Sequence, residues 1–526
     1  MTNTIKEEIQ KRRTFAVVSH PDAGKTTITE KFLWFGNVIR EAGHVKAKSN
    51  KKFATSDWME IEKKRGISVT SSALSFPYEG CQINLVDTPG HQDFCEDTYR
   101  ALVAVDSALV LLDAAKGVEP QTIKLMDACK LRKVPITVFI NKMDRDSRDI
   151  IELMDEVEEV LGLKCAPMTL PIGSGQLFQG VYSLEEKSVH FFSKDSDEPK
   201  IEFVSGLNDS KLDEWFDEKY LKEMRERAEL VQGVMDPFNL EEYRRGEMAP
   251  VYFGSAINNF GVKQLLDSFV RLAPSPLPRK TREAEIDPFR DEFSGFVFKI
   301  QANMDPKHRD RVAYLRVCSG SCDRGQKIYH CRTGRFLKMS APTSFMAQEK
   351  SVIEKAYAGD IIGIHDPGHF SIGDTLTSKD KLEFQGIPDF PSEYFARVVL
   401  LDPLKSKQLA KGLRQLSEEG AVQLFYPESS AYPMLGVVGK LQFEVIQARI
   451  ESEYGAKCQL EPISLYQARW LSGSSDEISK FVRLYKNDMA KDKQENWVYL
   501  CPNEFRMNKM EDDFPEIHFS AIHYKE

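Results

Sequence analysis

The sequence predicts an α/β protein: a doubly wound, mostly parallel sheet with an inserted subdomain, followed by a small β-barrel domain and an α+β domain. Three observations predict it. Short apolar runs bounded by Gly, Asp or Asn alternate with helical patterns over the first half of the chain. Strand-like segments separated by glycine turns follow the proline cluster Pro274, Pro276 and Pro278. Beyond Pro391 a strand pattern and two helical faces mix again.

The first-half runs lie at 15–18, 83–86, 108–112, 136–140 and 251–253, with helix candidates at 26–35 and 123–131. Each run is short and apolar throughout, as a strand buried on both faces must be, and the alternation implies right-handed βαβ units. A first domain is expected over 1–280. The second group of runs, at 293–300, 312–317, 326–330 and 361–364, is spaced by turns such as Ser319-Gly320 and predicts a barrel over 290–388. The third region, 390–526, opens with a run at 395–401. Leu409, Leu413 and Leu416 then mark one helix, and Leu441, Val445, Ile446 and Ile450 mark another. No internal repeat stands out.

Composition narrows the function classes. The chain has 526 residues, with 71 Lys plus Arg against 80 Asp plus Glu, for a net charge of −9. Hydrophobic residues at 41% and charged ones at 29% exclude intrinsic disorder. No apolar run is long enough to span a bilayer, so no membrane role is expected, and residues Met1 to Arg13 carry no apolar signal core. Nine scattered cysteines predict a reduced, cytoplasmic protein. The acidic balance argues against binding nucleic acid over the whole surface, leaving room only for a local basic face.

Four motifs carry chemistry, each placed after an expected strand. Ser19-His20-Pro21-Asp22-Ala23-Gly24-Lys25-Thr26-Thr27 follows the first run and opens a helix, the setting of a phosphate-binding loop, with Ser19 where the strict pattern has Gly. Loop N–H groups and the helix N-terminus can cradle phosphates, Lys25 can neutralise them, and the Thr26 hydroxyl suits Mg²⁺. Asp87-Thr88-Pro89-Gly90-His91 ends the second run; Asp87 there can hold Mg²⁺ through water, and Gly90 lets backbone approach the γ-phosphate. Asn141-Lys142-Met143-Asp144 reads the base. The Asp144 carboxylate accepts from guanine N1–H and its exocyclic amine, which adenine cannot match, while the Lys142 stem covers the ring. Ser255-Ala256-Ile257 would bring backbone N–H to guanine O6. In this order the four predict a GTP/GDP site.

With Arg65-Gly66-Ile67-Ser68 and the run Val105 to Gln121, these motifs resemble the translational GTPases. The resemblance implies that His91 orients the attacking water, making His91 and Lys25 the catalytic pair. It also implies that Ser68, with Thr70 nearby, supplies a hydroxyl to Mg²⁺, and that Pro21 and Ile67 form an apolar gate beside His91. Asp144 and Ser255 lie 111 residues apart, far more than a strand and a helix need, so a subdomain is inserted near 180–235. That insertion and Leu435-Gly-Val-Val-Gly-Lys-Leu-Gln-Phe-Glu444 resemble the elongation factor G group. Only 71 residues follow Gly455, too few for that factor's two further domains. The segment from Phe296 to Arg311 resembles the bacterial class II peptide chain release factors. This implies a ribosome-stimulated GTPase of translation termination. Its partners would be ribosomal RNA and proteins and the class I release factors, whose departure it promotes without reading stop codons, and it would act as a monomer. The alternative is another ribosome-associated GTPase, translocation-like or an assembly factor.

Three further groups have two readings each. Cys318, Cys322 and Cys331 beside His330 are small apolar barrel residues or a zinc site without paired C-x₂-C spacing. The lysines of 46–52 form a solvated switch loop or touch RNA. Lys307, His308, Arg309 and Arg311 form a solvated turn or a ribosome contact.

Overall fold

In chain order the first domain contains α1 (Asn3–Gln10), β1 (Arg12–Ser19), α2 (Lys25–Phe35), β2 (Ser72–Tyr78), β3 (Cys81–Asp87), α3 (Cys95–Ala104), β4 (Ser107–Asp113), α4 (Pro120–Leu131), β5 (Ile136–Asn141), α5 (Ile150–Leu161), β6 (Lys164–Pro167), β7 (Thr169–Ile172), β8 (Gly180–Ser183), β9 (Ser188–Ser193), β10 (Ser196–Phe203) and β11 (Met248–Phe253). The structure is a computed structural model that describes residues 3–39, 62, 68–193, 196–302, 311–346, 349–379, 381–387 and 390–522. Arg65, Gly66 and Ile67, the lysines of 46–52, and Lys307, His308 and Arg309 lie outside the described residues.

Seven strands form one sheet in the order β2-β3-β1-β4-β5-β11-β6, parallel except for the edge strand β2. The apolar runs fill both faces. Phe15, Val17, Leu109, Leu111 and Phe139 enter one core, while Ala16, Val18, Ala108, Val110 and Leu112 enter the other. This two-sided burial is why these strands read as continuous rather than alternating runs. Strand order reverses around β1, which lies between β3 and β4, and such switch points open a crevice at the strands' carboxyl ends. A second, antiparallel sheet, β10-β9-β8-β7, lies in the chain between β6 and β11 together with helices Ser210–Trp215, Glu218–Val234 and Leu240–Arg244. It starts at Thr169, upstream of the expected 180, because β7 follows β6 after a single residue.

The second region is an eight-stranded antiparallel half-barrel built around Ser294–Ala302 and Arg311–Ser319, with Val297, Leu315, Ile328 and Leu376 in its core. Cys318 and Cys322 are buried among apolar side chains, and the His330 ring is engaged by Asp374 (2.8 Å) and Thr333 (3.0 Å); these contacts account for them without a metal. Arg311 fits neither reading of the basic group, a solvated turn or a ribosome contact. It is buried, 2.6 Å from Asp366 Oδ2 and paired with Glu418, because two carboxylates from different domains draw it inward. All nine cysteines are free. Among the described residues no helix is long and apolar enough to cross a membrane.

The third region holds a repeat that the sequence hides. Tyr394–Leu400, helix Ser406–Glu418, Gln423–Pro427, Met434–Val437, helix Leu441–Tyr454 and Cys458–Ile463 form one βαββαβ unit. Gln467–Gly473, helix Ser475–Leu484, Met489–Asp492, Trp497–Cys501, helix Glu504–Asp513 and Ile517–Ser520 form a second. Each has the strand order 4-1-3-2, and their second strands pair antiparallel through Phe425, Tyr426 and Pro427, giving one eight-stranded palindromic sheet. Helices cover one face of each unit, while Phe395, Phe425 and Met434 of the first share a core with Trp470, Ala490 and Val498 of the second.

Candidate nucleotide site

The four motifs converge because four strand ends converge. The phosphate loop joins β1 to α2, Asp87 is the last residue of β3, Asn141 the last of β5, and Ser255-Ala256-Ile257 follows β11. All four strands run parallel in one sheet, so their carboxyl ends share one edge.

The loop is shaped by two left-handed residues, Asp22 (φ 65°) and Gly24 (φ 103°). Gly24 is constrained twice, since a Cβ there would also overlap Asn141 Nδ2. Gly24 is the N-cap of α2 and makes no side-chain cap bond, so the first-turn N–H groups receive no acceptor from it, the condition in which a helix start can take an anion. Lys25 is buried with Nζ 3.6 Å from Asp87 Oδ1. Both Asp87 carboxylate oxygens are buried without a hydrogen-bond partner. A buried carboxylate in that condition fits a hydrated cation, which would satisfy it. Thr26 and Thr27 follow, half-buried, in the first turn of α2.

Thr88 Oγ1 donates to Val17 O (2.8 Å) and Thr98 Oγ1 to Pro89 O (3.0 Å), fixing the turn that presents Gly90 and His91. A Cβ at Gly90 would meet only ordinary contacts with Pro21 (3.4 Å), so packing within the protein does not impose this glycine. His91 is half-buried, and His20 Nε2 lies 3.3 Å from Glu119. On the other side, Ser68 precedes Val69 and Thr70, whose N–H groups both donate to Glu62 Oε1 (3.0 and 3.3 Å).

The base motif is internally braced. Asn141 Nδ2 donates to Ala23 O (2.7 Å), and Asn141 Oδ1 accepts from Ala256 N–H (2.8 Å). One amide thereby links the phosphate loop, β5 and the segment after β11. Met143 N–H donates to Gly254 O (3.0 Å), and Ser255 Oγ donates to Asp144 Oδ1 (2.6 Å). Lys142, itself left-handed (φ 69°), donates to Asp113 Oδ2 (2.7 Å), which pins its ammonium and extends its stem. Asp113 is not among the candidate site residues read from the sequence and joins them through Lys142. Burial pushes its carboxyl up, but Lys142 and the Ala115 N–H outweigh that and hold it below the usual range. Its signal was an acidic residue ending a wholly apolar strand.

Residues 10–275 match the family model described as elongation factor Tu GTP binding domain. Residues 292–379 match elongation factor G domain 2, and residues 384–511 match the C-terminal domain of class II release factor RF3. A crystal structure of a protein from Thermus thermophilus superposes with a TM-score of 0.70 at 22% identity, over 89% of this chain and 71% of that one, a likeness of fold. All three matched models are translation-factor domains, which implies work on the ribosome. The chain belongs to the family of the elongation factor Tu GTP-binding domain: it is a translational GTPase, hydrolysing GTP, with the C-terminal domain of class II release factors.

Proposed function

We propose that this GTPase acts in translation termination, promoting departure of class I release factors from the ribosome after peptide release, without reading the stop codon. The observation that carries the reading is a release-factor C-terminal domain joined to an assembled guanine-nucleotide site. The partners are ribosomal RNA and proteins and the class I factors, met by a monomer in the cytoplasm.

In this reading the α2 N-terminus and Lys25 hold the β- and γ-phosphates and take up developing charge, while Asp144 and the Ala256 N–H select guanine. Thr26, Ser68 and, through water, Asp87 would hold Mg²⁺, which would neutralise phosphate charge. His91 orients the attacking water, and the ribosome drives it inward past Pro21 and Ile67. Phosphoryl transfer to water needs placement more than a strong base, so turnover without the ribosome is slow. The test is class I factor dissociation from post-termination ribosomes with GTP, GDP and a non-hydrolysable analogue. Acceleration in a nucleotide-dependent manner is expected; no acceleration in any state overturns the reading. His91→Ala should abolish ribosome-stimulated hydrolysis.

A further inference from the structure

His91 is held by its own loop, and that loop is held by another domain. His91 Nδ1 accepts from the Asp93 N–H (3.2 Å), capping the single 3₁₀ turn Gln92–Phe94. The buried Asp93 carboxylate lies between His91 and the third region, with Oδ1 3.5 Å from His91 Nδ1. Its Oδ2 accepts from the Leu441 N–H (2.7 Å), the first residue of helix Leu441–Tyr454 in the third region.

That helix lacks a cap of its own, because its N-cap residue Lys440 makes no side-chain cap bond. Asp93 supplies the acceptor across the domain boundary. The approach is close enough to demand glycine. A Cβ on Gly439 would overlap the Asp93 side chain and lie 2.5 Å from its Cα, and Gly439 is not among the positive-φ residues. The turn is itself rigid, since the Val438 and Gly439 N–H groups both donate to Gln442 Oε1 (2.9 Å each). Around the contact, Val445 and Leu441 pack on Phe94 and on Val69, next to Ser68. One patch of the third domain therefore touches both segments that flank the phosphate site.

We infer that Asp93 is a positioning residue for His91, and that docking of the Gly439–Leu441 turn on Asp93 sets the orientation of the His91 ring. GTP hydrolysis thereby depends on where the third domain sits. The inference rests on the reading of His91 given above.

The test uses the full chain on ribosomes, with kcat and KM for GTP hydrolysis and affinity for a fluorescent GDP analogue. Asp93→Ala and Gly439→Ala should each lower kcat by about tenfold or more, with KM and GDP affinity within about twofold. Asp93→Asn keeps a carbonyl acceptor for Leu441 N–H and should stay within about threefold of the parent. The Asp93→Ala, Gly439→Ala double variant should be no slower than the slower single, since both break one contact. Unchanged kcat in both single variants, additive losses, or a loss confined to KM overturns the inference, provided His91→Ala remains inactive. A fully active His91→Ala instead overturns the reading of His91 itself. Intact GDP binding shows that the nucleotide domain is folded. Should Gly439→Ala fail to fold, the Asp93→Ala and Asp93→Asn comparison decides alone.

Discussion

Asn141 and Asp144 stand three residues apart and have different tasks. The Asn141 amide spends its donor on Ala23 O and its acceptor on the Ala256 N–H, so it shapes the site from within the protein. Asp144 gives Oδ1 to Ser255 and keeps acceptor capacity for a base. Asp144→Asn should therefore exchange acceptor for donor, lowering GTP affinity about 100-fold and raising affinity for xanthosine triphosphate, whose 2-carbonyl accepts from an amide. Nucleotide competition checks it; retained GTP selectivity contradicts it. The role proposed for Asp144 rests on a hydrogen-bond inventory that the sequence alone supplies. The Asn141 brace was not legible there, because its partners Ala23 and Ala256 contribute only backbone, which every residue has.

Strands and helices were legible where burial gave them a period. β1, β4 and β5 are apolar on both faces, and helix Ser406–Glu418 buries Leu409, Leu413 and Leu416 as its spacing requires. Polar strands and turns were less so. The half-barrel strand Thr375–Thr377 and the turn before it are organised by Asp374, whose carboxylate takes two bonds from Arg332 (2.6 and 2.9 Å), one from Ser371 N–H (2.7 Å) and the His330 contact. Burial alone would raise this carboxyl, but Arg332, His330 and Ser371 together hold it below the usual value of 3.8. A lowered folded-state value stabilises the protein above pH 3.8 and loses that contribution as pH falls through it. Asp374→Asn should cost about 3 kcal/mol at neutral pH and remove this part of the acid dependence. Thermal melts of both proteins between neutral pH and pH 3 measure it, with the gap closing toward the acid end.

Across domains, the first sheet and the half-barrel meet over buried charge. Asp106 is 1% exposed and accepts from Arg279 (2.8 Å), from Arg316 of the half-barrel and from the Leu277 N–H (3.2 Å). Arg12 reaches Asp360 (3.2 Å) nearby, and Thr14 Oγ1 donates to Gly359 O (2.6 Å). Asp106→Ala leaves two buried guanidinium groups facing each other and should destabilise the pair of domains by about 4 kcal/mol. The first thermal transition should fall, and limited proteolysis should cut near residue 290 more readily; an unchanged melt would assign the contact no weight. A net charge of −9 says nothing of such pairs, because charge count carries no information on burial. The doubled βαββαβ unit was hidden for a related reason. Topology repeats without sequence periodicity when each unit fills its core differently, Leu-rich helices in one and Phe481, Met507 and Met510 in the other.

That doubling makes the C-terminal region an intramolecular dimer. Each unit shields the sheet face that the other leaves bare, with Phe395 and Phe425 on one side and Trp470 and Val498 on the other, while only three residue pairs join their edges. Neither unit is a sensible fragment to express, since severing them near residue 465 would bare an aromatic sheet face together with an unpaired edge. Cohesion here comes from mutual concealment rather than from the backbone ladder, and the two units should melt as one.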